Sequence, residues 1–430
     1  MRSQILLFPD FEIKQYSNGN ANKLNDNDKS IHNWYRFVLS FPPHLVREYL
    51  HKFNLKPGNT VLDPFCGTGT TIVEAKLHGF YGIGIEANPM TYFASRVKTD
   101  FDINLDIFVN DSTRIAEKAT SRIKHSNNNN LKSLSSDELS LLLDDSISPI
   151  PLHKTLILLN IINEYNSEFK NHQLLALATS TIKNSSNLHF GPEVGVSRKK
   201  KIDADVINGW LTIIRLISND IKYLKKDNYL PSKLFNGDSR DLSRFLKPNS
   251  IDAVFTSPPY PNEKDYTRST RLESVLLGFI KNKADLREVK KNLLRSNSRN
   301  VYKGDDDDKY ISHNSDIIRI AKEIENKRIE LKKTSGFERM YHKVTKLYFG
   351  GMAKHLENLK PYLKRDALLG YVVGDQASYL QVHIPTGKIL SDIATYLGYE
   401  LVSIDLFRTR FATATKKEMN EEVVVLKWKG

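Results

Sequence analysis

Residues 59–86 read NTVLDPFCGTGTTIVEAKLHGFYGIGIE, and the order of residue types in them decides the fold. The apolar pair Val61 and Leu62 predicts a strand, Gly67–Gly69 a turn, about Thr71–His78 a helix, and Tyr81–Ile85 a second strand. That succession is a β-turn-α-β unit, the opening of a doubly wound parallel α/β sheet. Glycines at 67 and 69 let the backbone approach a ligand closely, and the helix N-terminus behind them favours a carboxylate or phosphate. Two glycines also serve an ordinary tight strand-to-helix turn, so the turn alone names no ligand. The dinucleotide fingerprint is excluded, because its third glycine would fall at Ile72. A P-loop is excluded too, since no Gly-Lys-Ser/Thr follows. Glu86 ends the next strand, 23 residues beyond Asp63, where a carboxylate can accept hydrogen bonds from ribose hydroxyls. Turn and carboxylate together fit a ligand that carries a ribose but no pyrophosphate.

A second motif lies far downstream. Thr256-Ser257-Pro258-Pro259-Tyr260 follows the apolar strand Ala253–Thr256 directly. Two prolines stiffen a strand end and remove two amide donors, leaving their carbonyls as acceptors beside the Ser257 hydroxyl. Acceptors of that kind suit an exocyclic amine, with Tyr260 stacking on the base plane. An amine conjugated to a base ring is a poor nucleophile. Acceptors aimed at its hydrogens favour the tetrahedral geometry that develops as it attacks an electrophilic methyl. A purely structural loop is the plain alternative for SPPY taken by itself.

Around these motifs the chain divides by pattern. Residues 1–30 are largely polar and form a flexible lead-in; 101–232 carry helical periodicity and read as a helical insertion. Sheet character resumes at 233, giving a catalytic domain of 31–100 plus 233–430, with a charged helical stretch at 262–348 inside it. LLGYVVGD, a helix near Lys388–Leu397, YELVSIDLFRTR and EVVVLKW complete the sheet.

Length and composition set the outer bounds. At 430 residues the chain predicts two or three folding units, and 40% apolar content excludes a wholly disordered protein. The net charge of +13 calls for a polyanion or an anionic membrane surface as partner, without choosing. Cys66 is the single cysteine, so no internal disulfide or cysteine-based zinc site can form. Cys66 reads as a packing residue, and His189, His313 and His383 are isolated, so no metal site is expected. No apolar run reaches transmembrane length and the N-terminus lacks a secretory pattern, so a cytoplasmic, membrane-free protein is expected.

DPFCGTGTT followed later by TSPPY resembles the S-adenosylmethionine-dependent amino-methyltransferases of DNA, and the serine of the second motif most resembles their cytosine-N4 branch. The resemblance covers roughly residues 31–100, 233–280 and 350–430. It implies a Rossmann-like methyltransferase sheet with helical insertions, S-adenosylmethionine as cofactor, double-stranded DNA as partner, and a cognate restriction endonuclease in a restriction-modification system. It implies that Asp63, Phe65, Gly67 and Gly69 form the cofactor loop, with Thr70 and Thr71 near the methionine end. Glu86 would then be the ribose carboxylate and Asp238 the acid that reads the adenine amine. Ser257, Pro258, Pro259 and Tyr260 would be the catalytic loop, and Trp34–Pro43 the segment closing over the methionine. Many cytosine-N4 members run the two motifs in the opposite order, and a long insertion separates Glu86 from Asp238. Target sequence and oligomeric state stay open. Adenine-N6 of DNA, a base in RNA, and a non-catalytic nucleic-acid-binding protein on the same fold are the competing readings.

Two basic segments compete for the nucleic acid. Residues 281–303 hold eight basic side chains against Asp285 and Glu288, an excess of six just past the catalytic loop. Lys290, Lys291, Arg295 and Arg299 are the expected phosphate contacts there. SRKKK at 197–201 is the rival. Asp265, Tyr266, Thr267 and Arg268 stand where they can help close the pocket, and Asp305–Asp308 reads as a solvated acidic loop.

Overall fold

A computed structural model describes residues 28–36, 40–126, 130–191, 193–224, 229–412 and 416–430. Most of the expected lead-in, residues 1–27, lies outside the described residues. The strands are β1 (Thr60–Asp63), β2 (Tyr81–Glu86), β3 (Leu188–Phe190), β4 (Val194–Val196), β5 (Ser232–Asn236), β6 (Ile251–Thr256), β7 (Leu363–Gly374), β8 (Glu400–Ala412) and β9 (Lys417–Lys427). Seven of them form one sheet in the order β5-β2-β1-β6-β7-β9-β8. Pairing is parallel from β5 through β7, then antiparallel for β7 with β9 and β9 with β8. This is the doubly wound, Rossmann-like sheet that residues 59–86 announce.

The chain runs from β1 outward to β2 and β5, then returns to lay β6 on the other side of β1. Strand order therefore reverses between β1 and β6, and ligands of open α/β sheets bind at the carboxyl ends of the strands at such a reversal. Val61 pairs with Ala253 and Leu62 with Val254. The glycine turn and the Ser-Pro-Pro-Tyr loop leave the same end of these two neighbours.

Both faces of the sheet are covered. Leu62, Val254, Leu369, Tyr371 and Val424 point into one core, while Val61, Ala253, Phe255, Val372 and Val423 point into another. Adjacent residues in opposite cores are what a period of two produces in a strand buried on both sides. Helices α1 (Pro43–Lys52) and α2 (Thr70–Leu77) belong to the second core, and α3 (Pro89–Lys98) follows β2.

The stretch expected as a helical insertion contains α4 (Leu105–Lys124), α5 (Ser136–Leu139), α6 (Pro149–Tyr165), α7 (Lys170–Ser180), the β3–β4 hairpin and α8 (Val206–Tyr223). It shares one core with α3 and with Ile31 and Trp34. Asp220 on α8 accepts hydrogen bonds from the Ile31 amide (2.9 Å) and the Trp34 indole (2.8 Å). The segment ahead of the glycine turn is thus anchored on the insertion.

After the catalytic loop come α9 (Arg271–Leu276), α10 (Lys283–Lys291), α11 (Ser315–Glu330), α12 (Tyr341–Leu359) and α13 (Thr386–Tyr396). The charged helical stretch expected at 262–348 contributes largely to the packing around the sheet. Leu294, Ile311, Ile317, Ile320, Ile324 and Val344 are buried in the same core as Leu62, so much of this stretch is the layer over one sheet face. Its apolar residues at helical spacing were signalling that burial. No helix among the described residues is long and apolar enough to cross a membrane.

Candidate active site

A cavity of about 420 Å³ opens where β1 and β6 end. Phe65, Gly67, Thr70 and Glu86 line it from the cofactor side, and Ser257, Pro258, Pro259 and Tyr260 from the other. Ser40 and Phe41, from the segment expected to close over the cofactor, also line it, and Phe41 meets Phe255 edge-on at 5.8 Å. Two motifs separated by some 190 residues in sequence therefore face one space.

The glycine turn is held from beneath. Gly67 has φ 51° and Gly69 φ 82°, a left-handed region that side chains resist, and a Cβ on Gly69 would sit 2.9 Å from that of Ser95. Helix α2 starts at Thr70 with no side-chain cap, so its first amides are free to meet an anionic group. Glu86 accepts from the Gly67 amide (2.8 Å) through one oxygen and from the Asn88 amide (2.8 Å) through the other. Each carboxylate oxygen keeps a second lone pair, which suits a pair of ribose hydroxyls. Lys98, buried behind the turn, donates to the Thr68 carbonyl at 3.0 Å; burial, then the Arg36 charge, pull its amine down to about 7.

Asp63 lies under the loop, outside the residues that line the cavity. Its Oδ1 accepts from the Thr256 hydroxyl (2.6 Å) and the Phe65 amide (3.1 Å), so it ties the cofactor turn to the strand that carries the catalytic loop. Its Oδ2 is buried with no hydrogen-bond partner. Burial pushes the carboxyl up to about 7 against the opposing hydrogen bonds from the Thr256 hydroxyl and the Phe65 amide. An orphaned carboxylate oxygen beneath an uncapped helix end, with Glu86 beyond, fits a ligand bearing both a cationic centre and a carboxylate. S-adenosylmethionine has both, together with a ribose.

Three expected cofactor residues are placed differently. Thr71 turns inward and donates to the Phe255 carbonyl at 3.2 Å, and Gly69 serves the bend behind the cavity wall. Asp238, expected to read the adenine amine, is paired within the chain. Both its oxygens accept from Arg240, at 2.7–3.1 Å, and Arg240 reaches on to Asp307 at 2.6 Å. An arginine two residues away claims the carboxylate, while the neighbours Gly237 and Ser239 line the cavity instead. Cys66 is buried, and burial raises its thiol well above the usual range, so it stays protonated.

The catalytic loop shows an ordered set of hydrogen bonds. Ser257 donates its hydroxyl proton to the Val372 carbonyl (3.1 Å), which leaves the oxygen lone pairs as acceptors. The Tyr260 amide donates to the Tyr266 hydroxyl at 2.9 Å, and burial pushes the Tyr260 phenol far up, so it stays neutral. Tyr266, expected with Asp265, Thr267 and Arg268 to help close the pocket, lines the cavity and braces the loop through this bond. Among the described residues no group of three or more His, Cys, Asp or Glu is arranged to hold a metal.

Sequence reasoning missed three cavity residues at the sheet's far edge. Arg408 and Arg410 on β8 and Glu421 on β9 line the space beside Tyr260, and Arg408 Nε donates to Glu421 at 2.6 Å. The alternation in Phe407-Arg408-Thr409-Arg410 marks 408 and 410 as sharing one strand face, a legible signal, but nothing local says which end of the sheet they reach. His355 was missed too. It is buried, meets Phe65 edge-on at 5.1 Å, and burial draws it down to about 4, so the ring is neutral between Ser239 O and the Tyr371 hydroxyl.

The four expected phosphate contacts separate. Lys290 is buried and pairs with Asp265 at 2.7 Å; Arg295 is buried and forks onto Asp305 at 2.8 Å. Neither faces solvent, because internal carboxylates claim them. Asp305, read from the sequence as part of a solvated loop, is the counter-ion of Arg295, and Asp307 of the same loop receives Arg240 at 2.6 Å and Lys354 at 3.2 Å. Lys291 and Arg299 remain exposed, the first paired with Glu288 and the second over the Phe337 ring at 4.9 Å. Lys200 of the rival basic run pairs with Asp145 at 3.4 Å.

Comparisons with known proteins agree with this geometry. The N6/N4 methyltransferase family model, described as DNA methylase, matches residues 4–94, a stretch holding the glycine turn and Glu86. The type II methyltransferase M.BsoBI of Geobacillus stearothermophilus is 30% identical over 283 residues. That alignment covers 61% of this chain and 55% of M.BsoBI, so the chain spans little more than half of that relative's length. The type II methyltransferase M.AvaI of Nostoc sp. is 24% identical over 413 residues, 87% of this chain and 80% of that protein. The crystal structure of TrmN from Thermus thermophilus aligns at a TM-score of 0.31 and 11% identity over 93% of this chain and 52% of that one, a likeness too slight to argue from. The chain is thus similar to the N6/N4 DNA methylases around its glycine turn, and to type II DNA methyltransferases over most of its length.

Proposed function

We propose that this protein transfers a methyl group from S-adenosylmethionine to the exocyclic N4 amine of cytosine in double-stranded DNA, as the modification half of a restriction-modification system. The family match and the type II relatives support site-specific methylation of a base amine in DNA. The observation that carries the amine chemistry is the committed Ser257 proton. With that proton on Val372 O, Ser257 offers lone pairs only, and Pro258 and Pro259 have no amide hydrogen to compete. The serine itself, in the form most similar to the cytosine branch, supports N4 over adenine N6.

S-adenosylmethionine, when bound, supplies an electrophilic methyl on a sulfonium. The chain's residues do the rest by holding and aiming. Glu86 and the first amides of α2 hold the ribose and the carboxylate, and Asp63 supplies buried negative charge beneath the loop. Ser257 Oγ and the Pro258 carbonyl accept the amine hydrogens, drawing the nitrogen lone pair out of conjugation and toward the methyl. Tyr260 carries the base on its ring face. With S-adenosylmethionine held there, the amine nitrogen would take the methyl with sulfur as the leaving group, and the surplus amine proton, held against Ser257 Oγ, would pass to solvent. No covalent bond to the protein is needed, in keeping with a buried, protonated Cys66.

The test is to incubate the protein with labelled cofactor and unmethylated genomic DNA, digest to nucleosides and identify the product by mass spectrometry. N4-methylcytosine is expected. N6-methyladenine as the sole product overturns the base assignment, and label in RNA alone overturns the DNA assignment.

Gly374, at the end of β7, gives a finer probe. A Cβ there would lie 3.2 Å from Tyr260 Cε2 and 3.1 Å from Glu421 Cγ, so the tyrosine must give way. Gly374→Ala is expected to lower turnover roughly ten-fold, since misplacing a reacting group by ~1 Å can cost ~100-fold. Steady-state rates set beside thermal melting would show whether turnover falls far more than stability.

A further inference from the structure

A second cavity, of about 230 Å³, opens between the insertion and the segment that follows the catalytic loop. Leucines such as Leu141, Leu142 and Leu188 form its apolar wall, and Arg268, Arg271, Lys290 and Arg299 its charged one. Asp265 is the one carboxylate among the lining residues. Asp265 is already spent: Oδ1 accepts from the Thr267 amide (3.0 Å) and hydroxyl (2.6 Å), and Oδ2 pairs with Lys290 at 2.7 Å.

Of the remaining cations, Arg299 has Glu263 near it and Arg271 has a share of Asp265, which leaves Arg268 without a carboxylate partner among the described residues. Arg271 sits 3.9 Å from Asp265 and donates to Thr267 Oγ1 (2.7 Å) and to the Leu141 carbonyl (3.3 Å), which bridges the cavity's two sides. Burial, and the neighbouring Arg268 charge, pull Arg271 below the usual arginine range against the opposing Asp265. The Arg268 side chain makes no hydrogen bond or ion pair among the described residues. Several guanidinium groups against leucine walls, with one saturated carboxylate, form a site whose electrostatics demand an anion. The cavity is linked to the Ser-Pro-Pro-Tyr loop through sequence: Tyr266, next to the lining residue Asp265, accepts the hydrogen bond from the Tyr260 amide.

We propose that this cavity is a subsite for one backbone phosphate of the DNA strand that carries the target base, and that Arg268 is its principal contact. The inference rests on the DNA reading above and deepens it, by placing a phosphate next to the brace of the loop that holds the base. It assigns the charge to a different part of the chain than the 281–303 run suggested.

The test compares wild type, Arg268→Gln and Arg268→Lys in binding to sheared, unmethylated genomic DNA over a range of salt concentrations. Arg268→Gln is expected to weaken binding about ten-fold and to flatten the plot of log affinity against log salt by about 0.9, the signature of one lost phosphate contact. Arg268→Lys should recover the slope and only part of the affinity, because an ammonium keeps the charge and loses the fork. Calorimetry with S-adenosylmethionine should give the same cofactor affinity for all three. An unchanged salt slope in folded Arg268→Gln overturns the proposal. So does a melting temperature raised by inorganic phosphate in wild type alone with equal DNA slopes, which would make this a free-anion site. If wild type neither binds nor methylates DNA, the DNA reading itself fails; if wild type methylates DNA and only the slope comparison fails, this inference alone is lost.

Discussion

Tyr260→Ala is expected to lower methyl transfer to DNA by between about 5- and 150-fold, the range that corresponds to the ~1–3 kcal/mol of stacking one base on an aromatic ring. The ring is half-buried at the cavity wall, beside Gly374, and its backbone amide is pinned by Tyr266. Truncation removes the platform while leaving Glu86, Gly67 and Asp63 in place. Cofactor binding by calorimetry should therefore persist as single-turnover rates fall. Tyr260→Phe keeps the ring and loses a phenol that burial holds neutral, so most of the activity should return. Wild-type rates from a folded Tyr260→Ala protein would remove this loop from the reaction.

The second large effect is expected at Asp63, where stability and function should part. Burial pushes the folded carboxyl up to about 7 from its ordinary value of 3.8. Between those values the folded protein holds a proton that the unfolded chain has released. The Asp63 contribution to stability therefore falls as pH rises from about 4 to 7, and the buried charge is a full penalty above that. Asp63→Asn keeps an oxygen for Thr256 and Phe65 and removes the charge. Above neutrality the variant should be more stable than wild type, by an amount on the order of a few kcal/mol. It should also bind S-adenosylmethionine more weakly, because the unpaired Oδ2 is the negative charge set beneath a cationic ligand. Glu273 is also raised to about 7 by burial, so wild type keeps a second contribution in the same window. The difference between the two proteins across about pH 5 to 8 isolates Asp63. Urea denaturation and calorimetry at each pH provide the comparison. Equal stability with equal cofactor affinity would take Asp63 out of the site.

The legible part of the site was its local part. Gly67, Glu86 and the Ser257–Tyr260 loop announce themselves because each is a strand-end feature whose chemistry depends on neighbours a few residues away. Asp238 shows what is not local: its partner Arg240 lies two residues away, but Arg240 is also held by Asp307, distant in sequence. Lys290 and Arg295 look like a solvated basic face in a count of charges. Their carboxylate partners, Asp265 and Asp305, lie on either side of the 281–303 run, and only packing shows that these pairs turn inward.

The sequence by itself determined the β-turn-α-β unit, the doubly wound sheet and the two motifs, because strand periodicity and glycine placement act over a few residues. It also set the total charge, +13. Tertiary structure alone decided where that charge faces and what closes the site. Arg408, Arg410 and Glu421 reach the cavity only because β9 and β8 extend the sheet beyond β7, an arrangement of long-range pairing that no local pattern encodes. Burial pairs Lys290 and Arg295 with carboxylates and leaves Arg268 without one, since a charge removed from water must find a counter-charge or keep an opening to solvent.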